Sequence, residues 1–154
     1  YYIFVYLITN LAAYGIVATF WRVVGSDDIS AYAGMSRRAP GLALAMLVAF
    51  LSLAGMPPLG GFVAKFWVFA AAVQSDLVWL AVVGVLNAII GLYYYLVVLK
   101  VVYLYRSDDD DKPIRVTRPY AIALVVLSVV TILMGTLVAP WFEWSAIAAS
   151  ALFG

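Results

Sequence analysis

The 154-residue sequence contains no cysteine and no histidine, and only 11% of its residues are charged. Without cysteine, the chain cannot form a disulfide, a thiolate metal site or an iron–sulfur ligand set. Without histidine, it cannot form a Ser-His-Asp or Cys-His catalytic centre or an imidazole metal site. We therefore expect no cofactor and no metal in this chain. The formal net charge of +1 gives no indication of a nucleic-acid partner.

Apolar residues are abundant instead. They make up 67% of the sequence, and its mean hydropathy is +1.07. A soluble domain averages about 45–50% apolar and about 25% charged residues. A lipid bilayer explains the excess, because apolar side chains then face lipid as well as the protein interior. The sequence is apolar from its first residue, without the basic region of a signal peptide. We therefore expect the C-terminal part of a larger integral membrane protein.

Four apolar tracts can be distinguished. A transmembrane helix needs about 20 residues to cross the hydrocarbon core, and each tract reaches that length. The tracts do not alternate like strands of a membrane barrel, so helices are the expected spanning elements. The sequence predicts an all-α membrane fold with four spans, at residues 1–21, 41–74, 77–105 and 120–141.

Positive charge predicts how the chain is oriented. The joints 22–40 and 106–118 each contain three arginines. Because loops rich in arginine and lysine stay in the cytoplasm, we predict that both joints are cytoplasmic. The N-terminal end, the turn at Ser75-Asp76 and the C-terminus then lie on the opposite side. In a bacterial inner membrane, the predicted location, that side is the periplasm.

The second tract is too long for one straight helix and too short for two spans. Its 34 residues would rise about 51 Å as a single helix. Two half-helices that form one crossing fit the membrane better. Proline removes a backbone donor, and glycine permits unusual backbone and close neighbours. Broken helices of this kind often mark transport sites. The residues of the predicted break are Gly55, Pro57, Pro58, Gly60 and Gly61.

Lys65 lies just after this break and near the middle of the membrane. It is about nine residues before the end of the tract, or about 14 Å by helical rise. A charge at the bilayer centre costs about 2.5–3.5 kcal/mol, so such a residue usually faces the protein interior and is functional. We predict that Lys65 relays protons, since an amine can lose its charge by releasing one. The alternative is a structural lysine that binds carbonyl groups freed between Gly55 and Pro57.

Weaker signals suggest a secondary proton path through Lys100, Tyr94, Asn87 and Thr9. Each has a structural alternative. Lys100 can reach the cytoplasmic interface with its long side chain. Asn87 can hydrogen-bond between helices that pack closely at neighbouring small residues. Tyrosines near the end of a span commonly anchor it at the interface.

The sequence resembles the antiporter-like membrane subunits of respiratory complex I, NADH-quinone oxidoreductase. The longest and most specific match is the segment RRAPGLALAMLVAFLSLAGMPPLGGFVAKFWVF, which is similar to their late broken helix. The flanking helices YYIFVYLITNLAAYGIVA and NAIIGLYYYLVVLKVVYLY resemble those of the subunit N type. The M type usually has glutamate at the position of Lys65, and the L type continues into a long lateral helix.

The resemblance implies a fourteen-helix antiporter-like fold, of which this chain would form the last four spans. Lys65 falls on the key lysine of the second broken helix, within a line of buried ionisable groups that exchange protons. The implied partners are other membrane-arm subunits, including antiporter-like siblings, and membrane lipids. FMN and iron–sulfur clusters would belong to other subunits of the complex.

Two other functions remain open at this stage. Multi-subunit sodium/proton antiporters and membrane-bound hydrogenases share the core motif, so the chain could belong to one of them. A structural membrane scaffold, in which Lys65 only caps the break, is the third possibility.

Overall fold

The computed structural model describes the backbone of residues 1–153 and the side chains of residues 1–151. Gly154, the last residue of the predicted transmembrane portion, lies outside this range. Within the described residues, helices alternate with turns and short loops, which confirms the predicted all-α fold. The helices are α1 (Tyr2–Val24), a 3₁₀ turn (Ile29–Tyr32), α2 (Met35–Arg38), α3 (Pro40–Ala54), α4 (Gly60–Gln74), α5 (Val78–Leu104), α6 (Arg118–Thr136) and α7 (Val138–Phe153).

Three of these helices are long and apolar enough to cross a membrane. They are α1, α5 and α6, with 23, 27 and 19 residues. Helices α3 and α4 have 15 residues each, or about 22 Å by helical rise, so neither crosses alone. The break predicted at Pro57-Pro58 is confirmed, and the peptide bond between the two prolines is cis.

Helices α3 and α4 lie one after the other along the length of the bundle. Around α3, the core contains Ile16 and Phe20 from the second half of α1. Around α4, a smaller cluster joins Val5 from the first half of α1 with Met134 near the end of α6. The two half-helices therefore follow one another along α1 and α6, as a single broken crossing requires.

Several small side chains lie at the helix contacts around α3. The buried residues there include Ala12 and Ala13 of α1 and Ala43, Ala45 and Ala49 of α3. In a membrane, lipid is as apolar as leucine, so helices associate mainly by close packing and hydrogen bonds. Alanine favours this association because it lets the backbones approach. The core of the bundle therefore combines these close helix contacts with large buried side chains, such as that of Phe20.

The two arginine-bearing joints contact each other at one end of the bundle. The N–H of Gly34 donates to the carbonyl of Tyr105 at 3.0 Å, and the N–H of Ile114 donates to the carbonyl of Arg38 at 2.9 Å. An ion pair joins Arg37 to Asp110 at 3.3 Å. The joints therefore share one side of the bundle, and their assignment to the cytoplasm stays a prediction.

The acidic run in the second joint gives a pH-dependent contact. Lys112 Nζ lies 2.6 Å from Asp109 Oδ1, and this hydrogen bond and the lysine charge hold the pKa of the Asp109 carboxyl below its ordinary value of 3.8. Because the folded-state pKa is depressed, the pair contributes stability above pH 3.8 and loses it as the pH falls through the folded value.

We expect the substitution Lys112→Gln to raise the titration midpoint of Asp109 toward 3.8. The midpoint can be followed through the carboxyl ¹³C resonance of Asp109 in selectively labelled protein. Arg106→Gln is the control, since Arg106 makes no ion pair within the described residues. An Asp109 midpoint that does not respond to Lys112→Gln would contradict the expectation.

The last predicted span ends earlier than the sequence analysis placed it. We predicted residues 120–141, whereas α6 ends at Thr136 and α7 begins at Val138. Pro140 explains the difference: it has no N–H to donate to the carbonyl of Thr136, and its ring would clash with that turn of a continuous helix. Helix α7 was not predicted. It packs against α4, with the ring centroids of Trp67 and Phe142 5.0 Å apart.

Candidate functional site

Helix α3 ends in a left-handed glycine cap. Gly55 has φ 85° and ψ 40°, a conformation that glycine adopts without steric cost. Its N–H lies within hydrogen-bond distance of the carbonyls of Leu51 (3.1 Å) and Ser52 (2.9 Å), and the N–H of Met56 donates to Leu51 at 2.9 Å. A helix leaves its last four carbonyls without intrahelical donors. This cap provides donors for the first two of those four.

The Lys65 side chain binds the other two carbonyls. Its Nζ donates to the carbonyl of Leu53 at 2.7 Å and to that of Ala54 at 3.3 Å. These carbonyls carry the negative end of the α3 dipole, where a cation is stabilised. The structural alternative placed the acceptors between Gly55 and Pro57, and the observed acceptors lie just before that segment. Lys65 therefore caps the C-terminus of α3 from the second turn of α4.

Ser52 makes the corresponding contact in the opposite direction. Its Oγ accepts a hydrogen bond from the N–H of Gly61 at 3.1 Å, in the first turn of α4. We call this bond and the two Lys65 bonds the reciprocal caps, because each half-helix supplies a side chain that caps the other. The backbones are very close here: a Cβ on Gly61 would lie 1.8 Å from the carbonyl oxygen of Ser52. Only glycine fits at position 61.

A second glycine allows α6 to approach the break. A Cβ on Gly135 would lie 2.0 Å from the carbonyl oxygen of Pro58 and 2.6 Å from the backbone nitrogen of Gly60. The atoms in the way belong to the backbone, so no side-chain rotation can relieve the contact. Helix α6 therefore packs directly against the backbone of the break. Gly135 was not predicted, because a glycine in an apolar tract carries no sign of what it contacts.

A cavity of about 370 Å³ lies beside the reciprocal caps, between α1, α3, α4 and α5. Three predicted site residues line it: Lys65, Asn87 and Thr9. Among the described residues of the lining, Lys65 alone carries a formal charge. The cavity also has hydroxyl groups that the sequence analysis did not select, from Tyr2, Tyr6, Ser52 and Tyr95. An amine, an amide and several hydroxyls therefore meet in one space.

Two other predicted site residues lie away from this cavity. Tyr94 is 65% exposed on the outer face of α5, and the neighbouring Tyr95 lines the cavity instead. Consecutive residues of a helix differ by about 100° in direction, so only some of three adjacent tyrosines can point inward. Lys100 is exposed, and its Nζ lies 5.6 Å from the centroid of the Tyr105 ring. This contact is a cation–π interaction near the end of the helix.

Thr9 of α1 and Asn87 of α5 are the other two predicted residues in the lining. Thr9 is buried, and its hydroxyl donates to the carbonyl of Val5 at 2.7 Å, so it can only accept from the cavity. Asn87 lies on the same face of α5 as Gly84, which also lines the cavity. A Cβ on Gly84 would lie 2.5 Å from the Phe69 ring, so this small residue lets α4 and α5 approach closely.

Comparison with known protein families identifies the family to which the chain belongs. The family model described as NADH:quinone oxidoreductase/Mrp antiporter, TM, matches residues 1–91, which include α1, the broken helix and half of α5. The chain belongs to this family of integral membrane proteins.

Named relatives narrow the comparison. The chain is 38% identical over 154 residues to NADH-quinone oxidoreductase subunit N of Heliobacterium modesticaldum, covering 99% of this chain and 32% of that protein. It is 45% identical over 139 residues to subunit N 2 of Herpetosiphon aurantiacus, covering 90% and 25%. A chain of respiratory complex I from Thermus thermophilus, solved with bound aureothin, matches with a TM-score of 0.73 and 32% identity, covering 88% and 32%. The chain thus spans about a third or less of each of these proteins.

Proposed function

We propose that this chain is part of a proton-translocating subunit in the membrane arm of an NADH-quinone oxidoreductase, with Lys65 as a proton relay. The observation that carries the proposal is the position of Lys65, at the break of a membrane helix and on the wall of a cavity that also contains an amide and several hydroxyl groups. Its relatives are named as subunits of that enzyme. Electron transfer would take place elsewhere, on FMN and iron–sulfur clusters in other subunits.

The hydrogen bonds of Lys65 suit a group that gains and loses a proton. An ammonium group has three N–H donors. The carbonyls of Leu53 and Ala54 accept two of them, which leaves one for the cavity. When that proton leaves, the neutral amine retains two N–H groups and gains a lone pair. Both bonds to α3 can therefore persist while Lys65 gives a proton to an acceptor in the cavity and later takes one up.

Electrostatics favour the proton over sodium as the transported ion. In the described lining, Lys65 supplies the one formal charge, and it is positive. At an effective dielectric constant of about 20, two unit positive charges about 4 Å apart repel by about 4 kcal/mol. A sodium ion near protonated Lys65 would meet this repulsion, and when Lys65 is neutral the described lining offers the ion no carboxylate. A proton binds to the neutral amine itself.

The structural role of Lys65 is the second candidate, and the bonds to Leu53 and Ala54 favour it specifically. A capping lysine and a relaying lysine make the same contacts in a single structure. They differ in whether the residue must release its proton, so a substitution that keeps the caps and blocks release separates the two candidates. Arginine at position 65 is that substitution.

The choice between a redox-driven pump and a sodium/proton antiporter can be tested in proteoliposomes. The full-length subunit is reconstituted in its native complex, and internal pH is recorded after NADH and a soluble quinone are added. We expect acidification that persists when sodium is replaced by choline, because the lining described here repels sodium. Proton movement that requires sodium and proceeds without NADH would instead assign the chain to the antiporter branch of the family.

We propose a multi-pass protein of the bacterial inner membrane whose two arginine-bearing joints are cytoplasmic and whose C-terminus is periplasmic. Its partners would be other membrane-arm subunits and lipid. The contact between the two joints supports a common side for both.

A further inference from the structure

We infer that Ser52 is a positioning residue for Lys65: its hydroxyl fixes α4 against α3 at the height where the lysine amine reaches the last carbonyls of α3. This inference rests on the proposed function, since it concerns how the relay is held. It assigns a role to a residue that neither its type nor its sequence context distinguishes.

The first support is the environment of the hydroxyl. Ser52 is completely buried, and its Oγ accepts the N–H of Gly61 at 3.1 Å. The first N–H groups of a helix have no intrahelical acceptor and are usually capped by the residue preceding the helix. Leu59, which precedes α4, has no side-chain oxygen and makes no such bond. Ser52 provides that acceptor from a different helix.

The second support is the spacing along both half-helices. Gly61 and Lys65 are four residues apart, so they lie on the same face of α4. Ser52 is followed at once by Leu53 and Ala54, the two carbonyls that Lys65 binds. The contact at Gly61 therefore sets the height of the next turn of α4, which carries the lysine. A slide of α4 by one residue, about 1.5 Å, would take Nζ out of hydrogen-bond distance.

The third support is that Ser52 and Lys65 line the same cavity. A reacting group displaced by about 1 Å can lose about two orders of magnitude in rate, even when the cause lies outside the reacting atoms. Ser52 makes no hydrogen bond to Lys65, so its effect on the relay is transmitted through the backbone of α4.

The test compares Ser52→Ala and Ser52→Cys with Ser128→Ala, in the full-length subunit within its native complex. Cysteine keeps the shape of the side chain with a somewhat larger atom, and its sulfur is a weak acceptor. Ser128 is a matched control because its Oγ in α6 is buried and has no hydrogen-bond partner within the described residues. Proton pumping in membrane vesicles is recorded as a function of pH, and the amount of assembled complex is measured by native electrophoresis.

We expect both Ser52 variants to pump about fivefold more slowly. The lost cap costs about 1 kcal/mol, which corresponds to about a fivefold change in rate. We also expect the pH of half-maximal pumping to move, because the relay amine no longer lies at the same distance from its carbonyl partners. Ser128→Ala should match the unmodified protein in rate and in pH profile.

Two results would overturn the inference. One is an unchanged rate and pH profile in both Ser52 variants. The other is a loss of assembled complex with normal pumping per complex, which would make Ser52 a purely structural residue. Lys65→Met in the same assay separates this failure from that of the proposed function: if Lys65→Met stops pumping and Ser52→Ala changes nothing, only the role of Ser52 is rejected.

Discussion

The substitution Lys65→Arg should stop proton pumping by the assembled complex. Arginine keeps a positive charge and offers five N–H donors, so it can still bind the carbonyls of Leu53 and Ala54. The cavity of about 370 Å³ beside the side chain gives the larger guanidinium space. Its pKa exceeds about 12, so it does not release a proton at physiological pH. We expect the pumping rate to fall at least about tenfold, equivalent to about 1.4 kcal/mol or more.

The measurement is NADH-dependent acidification of inverted membrane vesicles, normalised to the amount of assembled complex. Lys112→Arg is the matched control, because Lys112 is an exposed joint lysine whose ion pair with Asp109 an arginine can also form. Lys65→Met is a useful companion, since it removes both the caps and the proton. Normal pumping by Lys65→Arg would leave Lys65 with the structural role alone.

The substitutions Gly61→Ala and Gly135→Ala should prevent the broken helix from forming as observed. A Cβ would lie 1.8 Å from the carbonyl oxygen of Ser52 in the first case and 2.0 Å from that of Pro58 in the second. Overpacking a well-packed site commonly costs about 1–3 kcal/mol, and more where backbone must move. Because both obstacles are backbone atoms, we expect a loss of at least about 3 kcal/mol and little or no assembled subunit.

The amount of subunit in purified membranes, measured by immunoblot and native electrophoresis, tests this expectation. Gly41→Ala is the control. Gly41 lies in the first turn of α3, and a Cβ there meets no atom within 4 Å. Alanine is also the better helix former by up to about 1 kcal/mol. Wild-type amounts of the Gly61→Ala and Gly135→Ala proteins would show that α4 and α6 can move away from the break.

The parts of the fold that the sequence predicted depend on strong local signals. Apolar tracts separated by arginine-bearing joints indicate spans because lipid excludes charge over a fixed thickness. The prolines at positions 57 and 58 mark the break because a helix cannot run through them unchanged. Lys65 was selected as a candidate because an ionisable group within an apolar tract is expensive and therefore rare.

The features that were missed depend on which way a helix faces. Tyr95 follows Gly91 by four residues, so helical spacing puts it on the small-residue face of α5, and this signal was not used to choose between Tyr94 and Tyr95. In the structure, that choice is made by contacts with other helices, such as the packing of the Tyr95 ring on Phe50 at 5.2 Å between centroids. The role of Ser52 likewise depends on the approach of Gly61, nine residues away and across the break.

The reciprocal caps have a consequence for how the two half-helices respond to damage. Losing the Ser52 bond frees α4 to slide, which weakens the Lys65 bonds, and losing Lys65 lets the end of α3 fray, which displaces Ser52. The Ser52 contact and the Lys65 contact therefore stabilise the break cooperatively. Removing both should cost less than the sum of the single losses, because either loss already undoes part of the other. The break is therefore held by hydrogen bonds from both half-helices, and its rigidity is limited by the weaker of the two contacts.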